Sequence, residues 1–170
     1  MSLHNWVERM DLTCRSKSQI GLMGSMVFIG WTTSSLFIPR LSDLYSRKLW
    51  VLFMMALQFM TIIALMNCHS YKTTLGLLLV MGMCATGRWA ISYVYMMEFL
   101  TEAQIKKVGP FINATAAFPI VIGAFLFQVV TKQTIVMEWI ALTMNGVILV
   151  SIALLLPESP KLLINHKKDD

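Results

Sequence analysis

Apolar positions are gathered into long unbroken blocks, without the alternation of a half-buried strand. Five runs stand out, at residues 19–39, 49–68, 75–97, 109–131 and 139–157, each of 19 to 23 residues. A helix rises 1.5 Å per residue, so about 20 residues cross about 30 Å of hydrocarbon. A helix also pairs its own backbone groups, which lipid cannot do. The pattern predicts an all-α membrane protein with five transmembrane helices. The competing reading is a helix bundle buried in water, and the near absence of charge inside the runs weighs against it. Residues 1–18 form a polar segment before the spans, and 158–170 a basic tail after them.

Composition strengthens this reading. Hydrophobic residues make up 56% of the 170 and charged residues 14%, and the mean hydropathy is +0.66. Soluble domains carry about 25% charged residues, and a chain this short has too little interior to hide so much apolar surface. A soluble enzyme, a disordered tail and a nucleic-acid binder are excluded as classes. The net charge of +5 comes from short basic groups between the runs, with no stripe or recognition motif for nucleic acid. Cys14, Cys68 and Cys84 are too widely spaced for a metal or disulfide pattern. His4, His69 and His166 lie outside the runs, and no phosphate-binding glycine loop is present. No cofactor, metal or catalytic group is expected.

Lys and Arg accumulate on the cytoplasmic side of membrane proteins. With the segments after the first, third and fifth runs inside, that side holds Arg40, Arg47, Lys48, Lys106, Lys107, Lys161, Lys167 and Lys168. The other side holds Arg9, Arg15, Lys17, Lys72 and Lys132. The expected topology is N-terminus outside and C-terminus inside. The three bases in the N-terminal segment run against it, and a further span before residue 1 would remove that conflict. Small residues recur in the runs, Gly21, Gly24, Gly30, Gly76, Gly82, Gly87, Ala114, Ala116, Ala117, Gly123 and Ala124 among them, and such residues let membrane helices approach closely. Pro119 is expected to kink the fourth run.

The segment Pro39-Arg-Leu-Ser-Asp43-Leu-Tyr-Ser-Arg47-Lys48 resembles the signature loop between the second and third helices of the major facilitator superfamily. Asp43, Arg47 and Lys48 match its charges, while Pro39 and Ser46 replace its two glycines. Asp11-Leu-Thr-Cys14 is similar to the run before the second helix of organic ion transporters. The run from Gly87-Arg-Trp89 through Tyr93 to Glu98 resembles their fourth helix. Pro157-Glu158-Ser159-Pro160-Lys161 resembles the close of their sixth, a motif shared with sugar porters. The chain is identified as a member of the organic ion transporter branch, covering helices two to six of an N-terminal half.

The resemblance implies transport of a small organic solute by alternating access, with the solute held between two halves that rock against each other. Less than one half cannot surround a solute. The chain therefore belongs with missing transporter helices or partner membrane subunits, or serves as a non-transporting structural subunit. The resemblance further implies that Asp43, Arg47, Lys48, Glu98, Lys106, Lys107, Glu158 and Lys161 lie at inner helix ends as gate charges, the bland alternative being membrane-edge anchors. Trp89 and Tyr93, four residues apart, match aromatic positions lining the cavity, where ring faces hold cations. Packing is their alternative role. Asn113 falls near a polar cavity position. Its Asn-Ala-Thr sequon faces the cytoplasmic side in the expected topology. Arg88 is the clear charge within a run, where charge is costly. It binds an anionic solute, pairs with an acid on a missing helix, or snorkels inward. The family's arginine of this helix falls at Leu78 and is absent.

Overall fold

The computed structural model describes residues 6–10, 12–44, 46–130 and 133–155, and among them there is no strand. A four-residue helix α1, Trp6–Arg9, and a tight 3-10 turn, Leu12–Cys14, precede the first long helix. Helix α2, Lys17–Ser35, starts at a capping box: Ser16 Oγ accepts from the Gln19 N–H and Gln19 Oε1 accepts from the Ser16 N–H. The chain turns at Leu36–Phe37 and continues as α3, Ile38–Leu44, bent by 41° from α2.

The bend has a local cause. Pro39 has no N–H to bond back into α2, and it sits in the first turn of α3, where that donor is not needed. The hydroxyls of Ser34 and Ser35 also bond back to the Trp31 and Thr32 carbonyls, which bends membrane helices. The sequence pattern places 39–48 in a tight loop. Instead the helix carries on to Leu44 and α4 begins at Arg47, so Asp43 stands on a helix.

Helix α4 spans Arg47–Asn67. Helix α5, Tyr71–Thr86, passes through a π-helical turn, Gly87–Ile91, into α6, Ser92–Met97, forming one continuous span from Tyr71 to Met97. Thr101 and Gln104 cap α7, Glu102–Ala116. A break at Ala117, two residues before Pro119, separates it from α8, Phe118–Phe125, which ends in a second π turn, Leu126–Val130. The kink expected at Pro119 is this break. Helix α9 covers Thr134–Leu155.

Three of these are long and apolar enough to cross a bilayer: α4, the α5–α6 span and α9; α2 with α3 makes a fourth if the bent pair is one span. Among the described residues the expected five are not reached on length and composition. The shortfall is the run at 109–131, because α7 has 15 residues and α8 has 8, neither sufficient alone.

Helices α2 and α5 cross at very close range. A Cβ added to Gly30 falls on the Leu79 carbonyl, and one added to Gly82 falls on the Val27 carbonyl. One turn further along, Ser34 Oγ and Thr86 Oγ1 share a buried hydrogen bond of 2.5 Å; with the Ser34 proton on the Trp31 carbonyl, Thr86 is its donor, and Thr86 Oγ1 lies 3.2 Å from that same carbonyl. Gly87 lies against Met54 of α4. Of the small residues noted in the sequence, Gly30, Gly82 and Gly87 hold close contacts; Gly21, Gly24, Gly76 and Gly123 face open space.

Two apolar clusters sit toward opposite ends of the bundle. One joins Ile38, Val51, Met54, Met55 and Ile91, with Leu149 and Ile152 of α9 against it. The other joins Met10, Leu12, Met23, Leu65 and Leu78. Part of the segment read as merely polar is therefore built into the core, with Met10 and Leu12 buried. Trp6 Nε1 donates to Glu138 at the start of α9, the Arg15 guanidinium stacks 4.8 Å from the Tyr71 ring centre, and the Tyr71 hydroxyl donates to the Gln19 carbonyl.

Candidate functional site

The end of the bundle that carries α3 gathers the expected charges. Asp43 lies in the last turn of α3, Arg47 opens α4, and Glu98 follows α6. Arg47 Nη2 bonds Asp43 Oδ1 at 2.6 Å and reaches Glu98 Oε1 at 3.3 Å. The Arg47 side chain is 11% exposed, Glu98 20% and Asp43 55%. One largely buried guanidinium thus bridges two acids on separate elements, hydrogen-bonded to Asp43 and ion-paired to Glu98 through the same nitrogen. Glu98 Oε2 and the Ser46 hydroxyl beside the bridge are buried with no hydrogen-bond partner among the described residues. The triad sums to one negative charge, and its second carboxylate has capacity to spare.

Not all eight charges converge. Lys48 follows Arg47 in α4, and Lys106 and Lys107 lie exposed on α7, within a helix where the sequence pattern predicts a loop. Glu158 and Lys161 lie outside the described residues, as does the basic tail at 158–170.

The second candidate group stands on the π turn and the helix after it. A π turn adds a residue to the helical repeat and re-aims the side chains on it; such turns are frequent at functional sites. Arg88 and Trp89 lie on the turn, Tyr93 on α6, and all three are exposed. The Tyr93 hydroxyl lies over Gly109 of α7, 3.1 Å from where a Cβ would be. Asn113, exposed, is one turn further along that helix. The structure therefore brings Tyr93 and the Asn113 helix together, while Arg88 and Trp89 stand one to two turns away toward the middle of the span. Leu78, where the resemblance places an arginine, is buried in the cluster with Met10 and Leu12.

Sequence reasoning missed three polar features. Trp6 and Glu138 pair across 132 residues, a contact no local pattern encodes. Gln58 and Asn145 are deeply buried amides within apolar helices. Their signal was present, since a carboxamide in the middle of an apolar run is costly and needs a reason.

Apolar helices of spanning length, joined by short connections and closed at one end by a charge bridge, define a multi-pass integral membrane protein. The sequence profile of the Major Facilitator Superfamily matches residues 10–169. The chain belongs to the Major Facilitator Superfamily, bearing out the resemblance carried by its motifs. Solute carrier family 22 member 2 of Homo sapiens is 22% identical over 165 residues, covering 96% of this chain and 29% of that relative. The chain thus spans less than a third of the length of the curated relative it matches.

Proposed function

We propose that this chain forms helices two to six of the N-terminal half of a carrier that moves a small organic solute by alternating access. The observation that carries the reading is the Asp43–Arg47–Glu98 bridge. It ties α3, α4 and α6 together at one end through a single side chain. Exposed pairs of this kind contribute about 0–1 kcal/mol each, but a partly buried network that exists in one state alone shifts a two-state equilibrium by its full differential energy. In this reading the bridge holds the cytoplasmic end shut while the carrier faces outward. The N-terminus lies outside, the C-terminus inside, and α7 with α8 supplies the remaining membrane segment within 19–157.

Trp89, Tyr93, Asn113 and Arg88 line the solute path, with aromatic faces to hold an organic ion. The missing transporter helices, or partner membrane subunits, complete that path, and the apolar outer faces meet the lipid bilayer. One observation favours the alternative of a non-transporting structural subunit derived from a transporter half. Leu78 closes an apolar cluster at the position where the resemblance implies a charge.

The mass of the native polypeptide and an uptake screen separate the two. A native chain about three times the 19.3 kDa given by this sequence, taking up organic anions, cations or sugars, supports the carrier. A 19.3 kDa chain that is stably bound to other subunits and moves nothing supports the structural subunit. Within the carrier, Trp89→Ala and Tyr93→Ala are expected to weaken competition by solute analogues roughly 2- to 30-fold, the worth of one ring-face contact of about 0.5–2 kcal/mol. Unaltered competition by every analogue would remove both residues from the path.

A further inference from the structure

A carboxamide in the middle of a spanning helix must find its hydrogen bonds inside the protein. Helices α4 and α9 each bury one near their midpoints: Gln58 is 4% exposed and Asn145 5% exposed. Asn145 is also the one fully buried residue of α9, a helix only 6% buried across its apolar window. The deepest anchor of a helix otherwise open to lipid is therefore a polar one.

The two amides stand at one level. Gly146 leaves space that the Phe59 ring enters, with Cε2 at 3.3 Å from where a Cβ would be. The residue after Asn145 thus touches the residue after Gln58. Further along the same interface, Leu149 and Ile152 of α9 rest on the cluster that contains Val51, Met54 and Met55 of α4. Both helices turn these faces toward each other.

Gln58 Oε1 and Asn145 Oδ1 are both buried and neither has a hydrogen-bond partner among the described residues. Two unpartnered acceptors at one level call for a donor between them. The nearest buried hydroxyl on that stripe of α4, Thr61, already donates to the Leu57 carbonyl at 2.7 Å. A hard cation takes six or more oxygens and is usually met by a carboxylate; two neutral oxygens fall short of that. A water molecule brings two donors, and buried water is found where polar groups are otherwise unsatisfied.

We propose that Gln58 and Asn145 form a mid-membrane site for one water molecule, which donates to both carboxamide oxygens and so ties α9 to α4. The site is independent of the transport reading. It is tested on the full-length protein in lipid nanodiscs with Gln58→Leu, Asn145→Leu and the double variant. X-ray hydroxyl-radical labelling, read by mass spectrometry, modifies side chains beside trapped water. Met55, one turn from Gln58 and 2% exposed, is expected to be labelled at least tenfold more than Met60, which is 63% exposed on the lipid side of the same helix. The double variant is expected to lose that labelling. Each single variant leaves one amide unpartnered and is expected to lower the thermal midpoint by roughly 2–4 °C, while the double variant falls no lower than the worse single. Met55 labelling equal to that of Met60 overturns the site, as do thermal losses that simply add. Coupled losses without Met55 labelling give a direct amide–amide bond in place of water, and also overturn it.

Discussion

Arg47→Ala in the full-length protein is expected to slow uptake at least tenfold while leaving the amount in the membrane within about twofold of normal. Removing the guanidinium leaves Asp43 and Glu98 without the cation both contact. The two halves of the loss are unequal. Asp43 is 55% exposed, so water and salt screen its pair to about 0–1 kcal/mol. Glu98 is 20% exposed, and its second oxygen is buried with no hydrogen-bond partner among the described residues. Stripping the guanidinium from it costs more, toward the few kcal/mol of a buried charge left alone. A total of about 1.4 kcal/mol or more is a tenfold change.

The order of severity follows from the same geometry. Asp43→Ala removes the screened partner and is expected to slow uptake by a few-fold without abolishing insertion. Arg47→Lys keeps the charge but not the planar guanidinium that reaches both acids from one nitrogen, and is expected to fall between wild type and Arg47→Ala. Initial uptake rates, normalised to surface-labelled protein, measure all three. Wild-type uptake by Arg47→Ala would end the gate assignment while leaving the fold untouched.

Part of this bridge is legible in the chain alone. Asp43 and Arg47 are four apart, the spacing of neighbours on a helix, and that geometry survives although the predicted loop is mostly helix. Glu98 is 51 residues from Arg47, and only the resemblance of its surrounding motif marks it. The apolar runs locate the spans because lipid imposes one length on them. They miss the helix starts, since hydropathy ignores the polar first turn that capping requires: α7 begins at Glu102, capped by Thr101 before it and Gln104 in its first turn, seven residues before its apolar run. They also miss the π turn at Gly87, which coincides with close contact to Met54 on another helix. The segment before α2 reads as polar because its apolar residues, Trp6, Met10 and Leu12, are interleaved with charges. Its docking depends on Leu65 and Leu78, far away in sequence.

Among the glycines, Gly82 is where the largest stability effect is expected. Gly30 and Gly82 stand at a reciprocal crossing: each faces the carbonyl three residues before the other, Leu79 and Val27. A Cβ at either position comes within 3.0 Å of backbone, and backbone cannot rotate aside as a side chain can. Gly82→Ala must therefore push α2 and α5 apart. That separation strains the Ser34–Thr86 hydrogen bond one turn on and opens the contact on which the apolar cluster around Met23 and Leu78 rests. Overpacking a well-fitted interface costs about 1–3 kcal/mol even where side chains can yield; against backbone the loss is expected at about 3 kcal/mol or more. At roughly 2–4 °C per kcal/mol for a domain of this size, the midpoint in detergent falls by roughly 6–12 °C, and recovery of folded protein falls with it. Gly76→Ala lies on the same helix, where a Cβ meets nothing within 4 Å. It is expected to leave the midpoint unchanged or raise it slightly, since alanine is the better helix former. Equal midpoints for Gly82→Ala and Gly76→Ala would mean that α2 and α5 do not cross at this distance. The Ser34–Thr86 bond, which needs that approach, would fall with it.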